Sequence, residues 1–360
     1  MTARRVVLLA ALLAACEHGA PFRPARYGPD GPLDPGPVAR LTFNAGVDAA
    51  ATWLPQGGAE GGGILYTAER LDRADEDRCF AMMPPGGGGI FRYVCGTTTA
   101  NDSIDVFDEA AVASDGRIAY VRSRAHRFPG RAVAPDAQAL VVAPLEDPNR
   151  VRVLLTIAYV APSGRAHQGV SHIRWLSPTR LVYLGEDVVY PRLCSFCALD
   201  TVRTGIEIVT LDLAGAAPVL AVVPTTDSAS SVTVGATSDT IYFTRNGDSR
   251  VYRYAFSTGQ TDTVHDFAPT GIARDVGFAN GRLVAVVGGD VTYAVDSLNG
   301  PMQVDRGGEL HVVTLATGAD TVLGDTTFRF RRPAFGPDGT RLTAEVWVNG
   351  SSDLWLLEVP

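Results

Sequence analysis

Six times between residues 51 and 347 the sequence repeats one phrase: an apolar strand, a small polar turn and a second apolar strand. The copies read ATWLPQGGAEGGGILYTAE, AAVASDGRIAYVRS, IRWLSPTRLVYLGE, VTVGATSDTIYFTRN, VGFANGRLVAVVG and PAFGPDGTRLTAEVW. Their turns are Asp115-Gly116, Asn280-Gly281 and Asp338-Gly339, with Gln56-Gly57, Pro178-Thr179 and Ser238-Asp239 as looser versions. Such pairs accept the backbone angles of tight hairpins. Each copy is followed by a second strand pair or part of one: CFAMMPPGGGGIFRYVC, ALVVAPLEDPNRVRVLLT, IEIVTLDLAGAAPVLAVV, RVYRYAFSTGQTDTVHDF, ELHVVTLATGADTVLG and DLWLLEV. No long helical periodicity interrupts them. Six units of four antiparallel strands predict an all-β fold, a six-bladed β-propeller, over a two-sheet sandwich or a string of small β-domains.

The sixth unit has three strands, whereas residues 38–43 (VARLTF) form a lone strand ahead of the first. Adding that strand to the last blade closes the ring. Closure hides unpaired edges that template aggregation and ties together the two ends of a one-dimensional array. Several spacings between turns exceed the ~40–45 residues of the leanest propeller repeats, so several blades carry inserted loops. The longest are expected at 67–78, 123–138 and 186–204.

Ahead of the repeats stand two short segments. Residues 1–15 run from a basic start, MTARR, through the apolar VVLLAALL to small residues, the build of a secretory signal peptide. Eight apolar residues fall short of the ~20 that a membrane-spanning helix needs. Residues 13–16, LAAC, resemble the lipobox of bacterial lipoproteins. The resemblance implies lipidation of Cys16 after removal of the leader. An ordinary cleaved signal with Cys16 incidental is the alternative. In bacteria with two membranes, the lipoprotein rule for a chain carrying Glu17 rather than Asp after the cysteine implies the outer membrane, facing the periplasm or the cell surface. Residues 16–37 are dense in proline, which favours extended, semi-rigid chain, and read as a tether. The propeller is assigned to residues 38–360.

Composition narrows the partners. The formal net charge is -8, and all 31 basic residues are Arg, with no Lys. An acidic surface of this kind keeps a protein soluble and offers nucleic acid nothing to hold. The absence of Lys removes Schiff-base and lysine-base chemistry.

The segment PAFGPDGTRLTAEVWVNGSSDLWLLEV resembles the TolB-type propeller repeat, whose pattern is aromatic-Ser-Pro-Asp-Gly-basic-apolar, then a strand, then an acidic-apolar-apolar strand. SDGRIAYV and RLTFNAG…WLPQG resemble it too, so the resemblance spans about residues 38–360, with the last repeat its nearest match. It implies the propeller fold and a tendency to bind partners, such as an envelope protein or a peptidoglycan-associated one. TolB carries an α/β domain ahead of its propeller, where this chain has the Pro-rich stretch.

Related propellers precede serine peptidases, but no Gly-x-Ser-x-Gly elbow occurs here, nor a His-Glu-x-x-His motif. The GGGG at 86–89 reads as a hairpin tip rather than a phosphate cradle. The expected role is therefore a non-catalytic, monomeric protein- or ligand-binding scaffold without cofactor. The alternative is a propeller hydrolase or lyase with a metal, calcium for example, in the central channel; this is analogy at the level of fold.

Aligning the repeats puts Asp48, Asp108 or Glu109, His172, Ser231, Asp275 and Arg332 near the start of each innermost strand, where side chains can converge on the channel mouth. Such a set can bind a polar ligand, hold a cation through its carboxylates, or pair internally. The remaining histidines of the body, His311 among them, are expected in loops or at the surface.

Cys79 and Cys95 are equidistant from Gly87, so a symmetric hairpin sets them opposite each other at disulfide distance. Cys194 and Cys197 can close a small ring, and an oxidising compartment favours both bonds. A zinc site of all four cysteines and a redox-sensing Cys194–Cys197 pair are the alternatives. Trp53, Trp175, Phe278, Phe335, Trp347 and Trp355 are expected between blades, where their size fills the wedge.

Overall fold

The computed structural model describes residues 38–43, 46–56, 61–69, 78–97, 103–126, 135–157, 165–189, 202–289, 291–296, 300–305, 307–324, 328–348 and 351–360. The signal and tether segments with Cys16, and the Cys194 and Cys197 pair, lie outside the described residues.

The chain opens with β1 (Val38–Arg40). Blade 1 follows as β2 (Asp48–Trp53), β3 (Ile64–Ala68), β4 (Cys79–Met83) and β5 (Arg92–Val94). Blade 2 is β6 (Ser103–Val112), β7 (Arg117–His126), β8 (Pro135–Pro144) and β9 (Arg152–Ile157). Blade 3 is β10 (Arg165–Ser177), β11 (Arg180–Val189), β12 (Val202–Asp212) and β13 (Val219–Val222). Blade 4 is β14 (Ala229–Val234), β15 (Thr240–Arg245), β16 (Arg250–Ala255) and β17 (Gln260–Asp266). In blade 5, β18 (Ala273–Ala279) and β19 (Arg282–Val287) are followed by a separate hairpin, β20 (Val291–Asp296) and β21 (Gly300–Asp305). The blade is completed by β22 (Glu309–Thr314) and β23 (Ala319–Leu323). Blade 6 is β24 (Phe330–Phe335), β25 (Arg341–Val348) and β26 (Ser351–Glu358), with β1 as its outer strand.

All six sheets are four-stranded and antiparallel. The innermost strands touch in the order β2, β6, β10, β14, β18, β24 and return to β2, so the sheets form a closed ring. Closure runs through β1, whose Val38, Ala39 and Arg40 pair with Leu357, Leu356 and Trp355. The Leu41 N–H extends the ladder to the Leu354 carbonyl at 2.7 Å, and the Arg40 guanidinium lies 2.5 Å from Asp353. The closing strand ends at Arg40, shorter than the expected VARLTF, because Thr42 turns its hydroxyl back to accept the Leu354 N–H at 2.9 Å.

Each blade is apolar on both faces because a neighbour covers each. Strands such as β3 and β4 are buried at every residue, whereas the outer strand β13 is exposed along its length. The buried residues accordingly divide into six clusters, one for each wedge between blades. Trp53, Trp175, Phe278, Phe335 and Trp355 all sit in or against these wedges. Trp53 Nε1–H donates to the Ala334 carbonyl of blade 6 at 2.9 Å, and Trp175 Nε1–H to Ala111 of blade 2 at 3.1 Å. The two tryptophans therefore do the same work two blades apart. In the β18–β19 turn, Asn280 and Gly281 both take positive φ, as a two-residue type I′ turn requires.

Two expectations are corrected. The described ends of the insertions expected at 123–138 and 186–204 are strand: β7 and β8 carry the blade 2 ladder through residues 123–126 and 135–138, and Val189 still pairs with Val202 in blade 3. The β-branched Val188, Val189 and Val202 suit an extended ladder. The β20–β21 hairpin was not expected, since it interrupts the repeat inside one blade. The connections between the second and third strands of blades 1, 3 and 5 are the longest, and strand direction puts them all on one face. The inner strands start on that face, while the Asp115-Gly116, Asn280-Gly281 and Asp338-Gly339 turns lie on the other.

Cys79 and Cys95 form a disulfide, as the symmetric hairpin implies; the Phe80–Val94 pair beside it sets the register. Replacing both cysteines with Ala is expected to cost about 3 kcal/mol, the loop-closure value for a ring of ~15 residues. Equilibrium unfolding in guanidinium checks this, and an unchanged midpoint contradicts it.

Candidate functional site

All six innermost strands carry a register shift at the same level: between Ala49 and Thr52, Asp108 and Ala111, Ser171 and Arg174, Ala229 and Ser231, Ala273 and Val276, and Arg331 and Ala334. A bulge bends its strand and re-aims the side chains beside it. In four of the bulges a non-glycine residue is left-handed: Ala50 (φ 52°), Glu109 (φ 54°), His172 (φ 53°) and Arg332 (φ 45°). Such residues cost of order 1–3 kcal/mol each and persist where surroundings hold them.

Carboxylates hold them here. Glu345 of blade 6 accepts the Ala50 N–H of blade 1 at 2.7 Å, Glu109 of blade 2 accepts the His172 N–H of blade 3 at 3.0 Å, and Asp275 of blade 5 accepts the Arg332 N–H of blade 6 at 2.8 Å. In each case the acceptor belongs to the preceding blade. Glu109's own N–H is taken by Asp108 at 2.9 Å.

Two of these carboxylates also reach across the channel. Asp275 Oδ1 lies 3.2 Å from His172 Nε2, linking blades 5 and 3, and Glu109 Oε1 lies 2.7 Å from Arg332 Nη1, linking blades 2 and 6. The cavity left between Ala50, Glu109, His172, Arg174, Asp275 and Arg332 is about 20 Å³, room for a single water. Burial opposes ionisation of Asp275, yet the hydrogen bond and charge of His172, with the Arg332 N–H and guanidinium, hold the carboxyl well below the ordinary range. For Glu109 burial is likewise outweighed, by Arg332 and then His172, and its pKa is lowered. The charge of Glu109 in turn raises Arg332 further, against burial.

A second, larger cavity of about 220 Å³ opens beside the first, lined by Val47, Ala49, Thr67, Arg78, Asp108, Arg331, Arg332 and Glu345. These residues lie at inner-strand starts and the adjoining strand ends, on the face with the long connections. Asp108 bonds Arg78 Nη1 at 3.0 Å. Burial raises the pKa of both Asp108 and Glu345 against the pull of neighbouring arginines.

Of the residues aligned from sequence, Glu109, His172, Asp275 and Arg332 gather in the channel, and Asp108 faces the larger cavity. Asp48 and Ser231 are fully buried and line neither: Asp48's carbonyl accepts Ser352 Oγ–H at 2.9 Å, and Ser231 Oγ lies 2.8 Å from both Thr244 Oγ1 and the Arg274 carbonyl. Sequence reasoning missed Arg78, Arg174, Arg331 and Glu345. Glu345 had a signal, as a lone acid inside the apolar strand RLTAEVWV. Among the described residues no group of three His, Cys, Asp or Glu is arranged to hold a metal ion. His311 is buried on β22 with Nδ1 2.9 Å from Asp320, instead of the loop or surface position expected.

Opposite pKa shifts give opposite expectations for two glutamates. Glu109 is depressed, so its contribution is present above the ordinary glutamate value of 4.5 and is lost as pH falls through its folded value. Glu345 is raised, so its charge weakens the fold as pH rises through its folded value. Glu109→Gln is expected to cost about 1.5–3 kcal/mol at pH 7, the range for hydrogen bonds to charged groups. Glu345→Gln, which keeps an acceptor for Ala50, is expected to leave stability equal or higher. Urea midpoints at pH 5 and 7 check both, and equal losses contradict the assignment.

The fold and ring define a six-bladed, closed β-propeller. No protein-family model matches the chain, and no curated protein matches it in sequence. Among solved structures the chain is similar to TolB from Acinetobacter baumannii, with 14% identity and a TM-score of 0.50 over 84% of this chain and 65% of that one. The chain thus spans less than two thirds of that TolB's length. It is also similar to a gluconolactonase from Xanthomonas campestris, with 13% identity and a TM-score of 0.54 over 91% of each chain. At these identities the likeness is one of fold.

Proposed function

We propose that this chain is an exported lipoprotein, anchored through Cys16, whose propeller acts as a non-catalytic binding scaffold of the cell envelope and recognises its partner with the face that bears the long connections. One observation carries this reading. Glu109, Asp275, Arg332 and His172 close on one another across the channel and leave about 20 Å³ between them. The ring is occupied with tying blades 2, 3, 5 and 6 together. The likeness to TolB supports a binding role in the envelope, and the likeness to a gluconolactonase supports the rival, a hydrolase or lyase with a channel metal.

The test is photo-crosslinking in the producing bacterium. A photoreactive residue at Glu69 or Arg124, on the long-connection face, is expected to give discrete protein adducts; one at Asp115 or Asp338, on the other face, is not. Adducts from the second pair alone, or from neither, overturn the reading. Palmitate labelling that survives Cys16→Ala overturns the anchor.

A further inference from the structure

Five of the six outer strands on the rim of the ring are guarded by charge. β1, β5, β9, β17 and β23 carry Arg40, Arg92, Arg152, Asp262 with Asp266, and Asp320 respectively. Charge on an edge keeps strands of other chains from pairing with it. β13 reads VLAV, carries no charge, and is exposed at all four residues. From Leu213 to Pro224 the chain holds no charged or polar side chain at all. Val219 is 64% exposed, Leu220 45% and Val222 47%, so the rim of blade 3 is an apolar edge open to solvent.

The backbone of β13 specifies what fits that edge. Val223, just past the strand, donates its N–H to the Ile208 carbonyl at 2.8 Å, and the Ala221 carbonyl accepts Thr210 Oγ1–H at 3.3 Å. Residues of an antiparallel strand alternate in the side to which their N–H and C=O groups point. Val219, Ala221 and Val223 therefore face β12, while Leu220 and Val222 aim theirs away from the blade. By the same alternation the next outward positions are Pro218 and Pro224, which have no N–H to give. Each proline stands three residues from Ala221. An antiparallel copy of the strand centred there sets Ala221 against the partner's Ala221, Leu220 against the partner's Val222 and Pro218 against the partner's Pro224. Leu220 and Val222 then exchange their bonds in full, and the prolines face only each other. Sliding the copy by two residues puts a proline ring in front of the Leu220 or Val222 carbonyl instead. Two-fold pairing brings like residues together, and like charges directly opposite repel, so an uncharged strand suits its own copy.

We propose that β13 pairs with β13 of a second copy of this chain, joining two blade 3 sheets into one across a two-fold axis. In this proposal the chain is a dimer rather than the monomer expected from its sequence. The contact leaves the recognition face clear, because β13 pairs with residues 209–212, the end of β12 away from the long connections. Two short strands make a small interface, and small interfaces bind weakly. Anchoring at Cys16 offsets this by holding the copies at a raised effective concentration on one membrane.

Disulfide trapping of the full chain tests it, with single cysteines introduced, mild oxidation, and the unsubstituted chain as the blank. Ala221→Cys is expected to give covalent dimers faster than Leu220→Cys or Val222→Cys, because only position 221 opposes itself, at ~4.5–5.5 Å between β-carbons against ~7–8 Å on the diagonal. Thr263→Cys, on the exposed outer strand of blade 4, is expected to give none. Sedimentation velocity supplies the second readout, with a mass that rises toward two chains between micromolar and millimolar concentration. Val222→Pro, which removes an outward N–H and no bond within the blade, is expected to weaken dimerisation at least ten-fold with the unfolding midpoint of the dilute protein unchanged. Val222→Thr, which keeps that N–H, is expected to dimerise as before. A mass of one chain at every concentration, indifference to Val222→Pro, or trapping at Ala221→Cys no faster than at Thr263→Cys overturns the proposal. A chain that stays monomeric while a photoreactive residue at Leu220 captures a different protein in the bacterium overturns it too, and gives the edge to a foreign strand.

Discussion

Replacing Arg332 with Met is expected to cost about 3–5 kcal/mol of folding stability, the range for removing one partner of a buried ion pair. Its guanidinium meets Glu109 at 2.7 Å, its N–H is held by Asp275, and the charges of Glu345 and Asp108 also act on it. Without the cation, Glu109 keeps the His172 N–H and the weaker pull of His172 and Arg174, and the remaining acids repel one another in a narrow channel. Two signatures separate this from simple loss of packing. The deficit should shrink as pH falls toward 4, because the stranded carboxylates of the variant then take up protons, while the depressed Asp275 and Glu109 of the intact protein keep their charge down to their ordinary values of 3.8 and 4.5. Adding Glu109→Gln to the Met variant should recover part of the loss, since the two positions are coupled and their effects are not additive. Guanidinium unfolding across pH 4–7 measures both. A loss below about 1 kcal/mol that ignores pH contradicts the coupled ring.

Deleting residues 38–43 is the second large perturbation. It removes β1 from blade 6, uncovers the edge of β26 from Leu354 to Leu357, and takes Leu41, 1% exposed, out of the wedge between blades 6 and 1. Truncation of a buried leucine to Ala alone costs about 2–5 kcal/mol, and an uncovered apolar edge pairs with other chains. The expected product is a lower unfolding midpoint together with aggregates or strand-exchanged oligomers, seen by light scattering. A monodisperse monomer with an unchanged midpoint contradicts closure through β1.

Much of this was legible in the sequence because a propeller writes its plan locally. Alternation of two, paired with turns such as Asn280-Gly281, repeats six times, and the lone strand at residues 38–43 supplies the fourth strand that the last unit lacks. Cys79 and Cys95 were readable from a symmetric hairpin for the same reason. The ring was only partly legible. Aligned repeats brought Glu109, His172, Asp275 and Arg332 to the channel, but each inner strand carries a bulge, and one extra residue turns the following side chains to the other face. Ser231 stands at the far side of its strand's bulge and Asp48 two residues ahead of Ala50, the position equivalent to Glu109, His172 and Arg332, and both sit buried in their blades. Glu345 comes from a second strand and Arg78 from a connection, so no alignment of inner strands can find them. The β20–β21 hairpin hid because a repeat search passes over what occurs once.

The most direct test of a channel sealed by its own charges is metal analysis. The full chain, exported and purified without chelator or added metal, is measured by elemental analysis and then titrated with calcium and manganese. The expected result is no stoichiometric divalent ion and no rise in melting temperature on titration. One tightly held equivalent per chain, lost in Glu109→Gln or Asp275→Asn, contradicts the sealed ring and makes the channel a metal centre.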